Sequence, residues 1–180
     1  TRVQEPEHWN IFDSDILRWH HEEGRGDAVM LDLIELRQIL EPAAAKLAAN
    51  RANMDQHRSL KAAIQTMQDQ LDSPENFARA DLDFHLAVYE ASQNSFLLQF
   101  GSVVSDYLRR VFMIQQQAVR GRDALEKDVQ LHDKVYEAIN RGDGQLAADT
   151  MLKVVLEGKN SLIEALKSGA NSNDLNRRGE

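Results

Sequence analysis

Apolar residues recur along this chain with the period of an α-helix, and little interrupts them. Between residues 28 and 51 the stripe reads Met30, Leu33, Ile34, Leu40, Ala44, Leu47 and Ala48. Leu60, Ala63, Ile64, Met67 and Leu71 form the next one. Spacing of this kind lines one face of a helix with core-seeking side chains. Convincing period-2 alternation is missing, and no Asn-Gly or Asp-Gly hairpin lies between β-branched stretches. Only 3 Pro, 9 Gly and 6% aromatic residues also disfavour a sheet-rich fold. The expectation is an all-α antiparallel bundle of six to seven helices joined by short breaks.

The breaks carry their own chemistry. Asp13-Ser14-Asp15 offers an N-cap for a short helix ending near Glu22, and Glu23 to Gly26 interrupts it. A long helix is expected from Ala28 to about Arg51, with Pro42 inside it as a source of a kink. Asn53 with Gln56 makes a capping-box pattern. Ser73-Pro74-Glu75 is a restart signal: a cap, a proline at the first helical position and an acid in the first turn. That helix should run to about Ser92 and the next from Phe96 to about Arg120. Ala124 to Asn140 follows, closed by Arg141-Gly142, and Asp143 should cap a final helix to about Lys167. The organisation expected is a lead segment over 1–27, a helical domain over 28–167 and a polar, disordered tail over 168–180.

Composition narrows the function classes. A chain of 180 residues suits one domain with one core. With no Cys, disulfides, thiolate metal sites and thiol nucleophiles are excluded. No apolar run is long enough for a membrane span and no secretory signal is visible, so a cytoplasmic protein without a membrane partner is expected. The net charge of −8 argues against direct nucleic-acid binding by these residues, since such binding needs a basic face.

The informative positions are polar residues that fall on apolar stripes, because an unpaired buried ion costs several kcal/mol. Arg37 lies between Leu33, Ile34 and Leu40, Ala44 and should point inward. It can pair with Glu41 one turn on, or present its guanidinium fork to a ligand carboxylate. Asp81 and His85 stand at i, i+4 among Phe77, Phe84 and Val88. They can share a divalent ion, or form a hydrogen bond that merely orients the ring. His132 sits among Leu125, Val129, Val135, Tyr136 and Ile139, where it is either a satisfied core histidine or a ligand. Asp128 repeats the Asp–His spacing but reads as a solvated first-turn acid. His8, His20, His21 and His57 fit no site; His57 falls in an early turn expected to be exposed.

Familiar catalytic signatures are missing. The expected helices carry no E-x-x-H pair (Glu5–His8 lies in the lead segment), the chain has no H-E-x-x-H, P-loop, G-x-G-x-x-G or G-x-S-x-G, and no nucleophile–base pair can be assembled. The expectation is therefore a protein that is not an enzyme. The competing reading is a helical metalloenzyme that uses the Asp/His cluster to activate water.

Taken together, three blocks resemble the FadR-type C-terminal ligand-binding (FCD) domain of GntR-family transcription regulators. They are Glu35 to Ala49, Asp81-Leu-Asp-Phe-His85 with Ala91 to Asn94, and His132 with Ala138-Ile139, Gly142-Asp143, Ala147 and Met151. The lead segment Trp9 to Trp19 resembles the connector of regulators of sugar-acid metabolism, and Thr1-Arg2-Val3 the last strand of a winged-helix wing. The resemblance implies a helical bundle that dimerises and binds a small carboxylate effector, here a sugar acid, at its centre. It implies contact with operator DNA only through a winged-helix domain preceding these residues. It further implies a divalent ion, zinc or similar, on Asp81, His85 and His132. The family's further histidine would fall at position 154, where this chain has Val154. By the same resemblance Arg37 faces the effector. Arg110 is a second candidate anion contact, with a surface or dimer-face position as its alternative.

Overall fold

The structure, a computed structural model, describes residues 26–117 and 121–177. Six helices account for nearly all of them: α1 (Gly26–Arg51), α2 (Met54–Asp69), α3 (Pro74–Ala91), α4 (Ser95–Gln117), α5 (Arg122–Asn140) and α6 (Gly144–Arg177). Among the described residues there is no strand, and the fold is the all-α bundle that the apolar periodicity predicts. The expected features before residue 26, including the short helix at Asp13 and the lead segment, lie outside the described residues.

Most connections are built as their sequences suggest, though Ser73, expected as the cap before Pro74, makes no side-chain cap hydrogen bond. Asn53 accepts from the N–H groups of Asp55 and Gln56, and the Gln56 side chain accepts from Asn53 N–H, which completes a capping box. Pro74 opens α3 at a position where a missing N–H costs nothing. Asn94 caps α4 through its side-chain oxygen, 3.0 Å from Phe96 N. The tightest corner joins α5 to α6. Gly142 adopts φ 73°, a left-handed conformation. Its N–H donates to Ile139 O at 3.0 Å, while Asp143 N–H donates to Ala138 O at 2.9 Å. Those two bonds form a Schellman motif that satisfies the last carbonyls of α5. Asp143 then accepts from Leu146 N–H and starts α6. The corner folds α6 back along α5.

α1 packs against α6, α3 and α5, and α2 covers α3 and α5 from the other side. Small side chains, Ala44, Ala45 and Ala48 on α1 and Ala147 on α6, are fully buried and let the backbones approach. The buried face of α1 is rotated slightly from the expected stripe. Leu40 and Leu47 are only half-buried, whereas Arg37, Glu41 and Ala45 lie in the interior. The rotation places an ion pair rather than leucines on the deepest line of α1. α1 continues unbroken through Pro42. α6 runs to Arg177, past the Lys167 boundary expected for it. Residues 168–177 contain no proline, and an established helix propagates at little cost.

The α5–α6 corner generates a stability test. Gly142→Ala puts a Cβ on a left-handed residue and should destabilise the fold by about 1–2 kcal/mol, measured by urea unfolding. An unchanged midpoint would show that the corner does not hold this conformation in solution.

Candidate functional site

Five of the six helices meet around one polar cluster in the apolar interior. α1 supplies Arg37 and Glu41, and α3 supplies Asp81, His85 and Tyr89. Phe112 and Gln115 come from α4, His132 from α5, and Val154 with Gly158 from α6. Arg37, Glu41, His85 and His132 are each less than 4% exposed and Asp81 is 7% exposed. Helical spacing explains the local geometry: Arg37–Glu41 and Asp81–His85 are both i, i+4 pairs that project from one face.

Arg37 forms the pair with Glu41 that its sequence spacing allows. Its Nε lies 2.6 Å from Glu41 Oε1 and its Nη2 3.3 Å from Oε2. The guanidinium also rests 4.6 Å over the Phe112 ring, a cation–π contact. Nη1 is buried with no hydrogen-bond partner. Glu41 holds a second partner, since His85 Nδ1 lies 2.8 Å from its Oε2. Tyr89 donates its hydroxyl to Oε1 over 3.4 Å. Burial pushes the Glu41 carboxyl up, but Arg37 and His85 outweigh it and hold it down to about 2. Burial, and then Glu41, push the Tyr89 hydroxyl well above its ordinary range.

The two imidazoles are oriented alike. A carboxylate only accepts, so the proton of His85 that faces Glu41 sits on Nδ1. Arg37 only donates, and its Nη2 lies 3.2 Å from His85 Nε2, consistent with a lone pair there. His132 Nδ1 lies 2.7 Å from the carbonyl oxygen of Asp128, which again fixes the proton on Nδ1. Both Nε2 atoms are thereby turned toward one carboxylate oxygen. Asp81 Oδ1 lies 3.3 Å from His85 Nε2 and 3.1 Å from His132 Nε2. Proximity here comes without alignment: Asp81 Oδ1 and His132 Nε2 are buried atoms with no hydrogen bond of proper geometry. Lone pairs facing one another at this range repel unless a proton or a cation lies between them. Burial pushes the Asp81 carboxyl up, and protons on the facing His132 and His85 nitrogens would hold it well below the usual carboxylate range. Rings complete the enclosure: His85 stacks on Phe112 at 5.3 Å and His132 meets the edge of Phe84 at 4.9 Å.

Asp81, His85 and His132 each present one ligand atom, all within 4.8 Å of one another. One carboxylate oxygen and two imidazole nitrogens are a donor set for zinc or a similar divalent ion. Tethered Nδ1 atoms are the usual way such histidines are oriented. The residues present therefore fit a metal. A cavity of about 20 Å³ adjoins them, lined also by Leu131, Val154 and Glu157, with room for about one water-sized body. Val154, at the position where the family resemblance places a further histidine, closes the cavity with an apolar wall.

Of the residues singled out from sequence, Arg37, Asp81, His85 and His132 come together. Arg110 does not line the cavity; it is half-buried on α4 and lies near Tyr107. His57 is half-buried rather than exposed, edge-on to Tyr136 at 6.3 Å. Asp128 is half-buried and enters the site through its backbone carbonyl. Phe112, Gln115 and Tyr89 carried no sequence signal beyond helical periodicity.

The Arg37–Glu41 pair generates two tests. Glu41→Ala leaves a buried guanidinium unpaired and should cost about 3–5 kcal/mol, read from urea unfolding. The double variant Arg37→Met/Glu41→Leu should recover much of that loss. A carboxylate whose folded value is depressed stabilises above its unfolded value. Glu41 should therefore lose its contribution as pH falls from the ordinary 4.5 toward 2. Glu41→Gln should flatten that part of the acid limb in a stability–pH titration; an unaltered limb would contradict the geometry.

Comparison with known proteins agrees with this architecture. Residues 32–156 match the family model described as the FCD domain. The galactonate operon transcriptional repressor of Escherichia coli is 29% identical over 157 residues, 87% of this chain and 67% of that protein. The uncharacterized HTH-type transcriptional regulator YieP of the same organism is 29% identical, with 82% of this chain and 62% of that protein covered. HTH-type transcriptional regulator LutR of Bacillus subtilis is 28% identical, covering 67% of this chain and 56% of the relative. The chain thus spans about two thirds or less of the length of these relatives. Among solved structures, a Streptococcus agalactiae GntR protein shares the fold, with a TM-score of 0.60 at 23% identity over 73% of this chain and 58% of that one. With more than half its length matched, the chain belongs to the FCD domain family.

Proposed function

We propose that this domain is the effector-sensing and dimerisation unit of a GntR/FadR-type transcription regulator. Its effector is a small carboxylate, a sugar acid by analogy with the galactonate operon repressor that it resembles. The observation that carries the reading is the convergence of Asp81 Oδ1, His85 Nε2 and His132 Nε2 beside a buried arginine. In this reading Asp81, His85 and His132 hold a divalent ion, which supplies positive charge for the effector's carboxylate and hydroxyl oxygens. Arg37 adds its Nη1 donors from the α1 side. The α1 carboxylate Glu41 fixes both Arg37 and His85, so the donors are pre-organised before any ligand arrives.

The size of the cavity bears on signalling. Space of about 20 Å³ admits an ion or a water, and a six-carbon acid needs several times more. Binding must therefore open the wall formed by α4 and α6, where Gln115 and Glu157 lie. A ligand that selects the opened arrangement shifts the population of the dimer, and with it the attached DNA-binding domains, in the cytoplasm. Operator contact belongs to a winged-helix domain and not to this acidic unit, whose net charge is −8.

Titration calorimetry tests the reading. One zinc ion per chain is expected to bind wild type, with binding lost in Asp81→Asn and in His132→Ala. Val154→His should tighten zinc by about tenfold or more, because it adds a ligand from an apolar part of the cavity lining that adjoins the donors. A panel of sugar acids should include at least one that binds. Wild type that takes neither zinc nor any carboxylate would overturn the proposal.

A further inference from the structure

Gln115 is the amide side chain of the cavity wall. It lies near the end of α4, is only 2% exposed, and lines the same cavity as Arg37, Asp81 and His132. Its Nε2 donates to the main-chain oxygen of Gly158 on α6 over 2.9 Å. That is the one hydrogen bond it makes among the described residues, so its second N–H and its Oε1 are uncommitted there. An amide can donate and accept at once, whereas every other polar group around the cavity is charged or already oriented. Gly158 makes the placement possible. It sits inside a helix, where glycine is about 1 kcal/mol worse than alanine. A Cβ at 158 would meet Gln115 Nε2 at 3.2 Å, tighter than ordinary contact. The absent side chain leaves the space into which the amide is laid.

Resting on the effector-binding reading above, we infer that Gln115 reads a hydroxyl group of the effector and so selects hydroxylated acids over plain carboxylates. The charged cluster binds any small carboxylate; the neutral amide on the α4 side of the same cavity supplies the discrimination. A site built to hydrogen-bond a hydroxyl leaves its own polar atoms unpaired when that hydroxyl is missing, and this rejects the deoxy analogue strongly. Gly158 positions the amide through its carbonyl and its lack of a Cβ.

Calorimetric titration of D-galactonate and of hexanoate, an acid of the same carbon number without hydroxyls, tests this in zinc-containing buffer. Wild type should prefer galactonate. Gln115→Met keeps the length of the side chain and removes its hydrogen bonding. It should weaken galactonate by about tenfold to a hundredfold while leaving hexanoate unchanged. Gly158→Ala, which displaces the amide without removing it, should shift the preference the same way. Gln115 is only a tie between α4 and α6 if Gln115→Met weakens both acids equally, or if galactonate binding is untouched; either result overturns the inference. Wild type that binds another sugar acid but makes no distinction between galactonate and hexanoate also overturns it. Wild type that binds no carboxylate at all overturns the effector-binding reading, and this inference with it.

Discussion

The structure is organised around one buried chain of charge. Arg37 pairs with Glu41, Glu41 holds His85, and His85 and His132 face Asp81. These contacts link α1, α3 and α5 at their centres. No member of the chain is stable there alone, since each would be an ion or a dipole stripped of water. A bundle with well-packed apolar residues in place of a buried ion pair is often no less stable. Such a bundle would have no directed donors, and the polarity therefore points to binding rather than to folding.

The asymmetry within the chain separates its roles. The Arg37–Glu41–Tyr89 end is joined by hydrogen bonds of 2.6 and 3.4 Å, with Arg37 Nη1 left over. The Asp81–His132 end is open, with lone-pair atoms in close approach and no hydrogen bond of proper geometry between them. A joined end gives rigidity, and an open end needs a proton or a cation to be satisfied. Glu41 connects the two because it fixes the tautomer of His85 from behind. Phe84 and Phe112 keep water out of the rings' faces and strengthen every electrostatic contact inside.

Much of this was legible in the sequence because it rests on local rules. The helices follow from apolar spacing, and the corners at Asn53, Pro74 and Gly142 follow from cap chemistry. Arg37–Glu41 and Asp81–His85 are local pairs, visible as i, i+4 spacing. The meeting of His132 with Asp81 is not local; it depends on how α5 lies against α3, and only the family resemblance suggested it. Asp128 acts through a backbone carbonyl, which no side-chain reading can single out. Gln115 stands in a run of three glutamines, and nothing in that run marks which of them turns inward. Arg110 shows the converse, an arginine placed by resemblance on a helix of the site yet not on its wall.

The central claim is that His85 and His132 turn their Nε2 atoms toward Asp81 so that the three can share a cation. Long-range nitrogen–proton NMR of the imidazole side chains measures this directly. Both rings should carry a proton on Nδ1. One equivalent of zinc should move both Nε2 resonances while Nδ1–H stays in place. Two doubly protonated rings, unmoved by zinc, would mean that protons and not a cation satisfy Asp81, and would contradict the account.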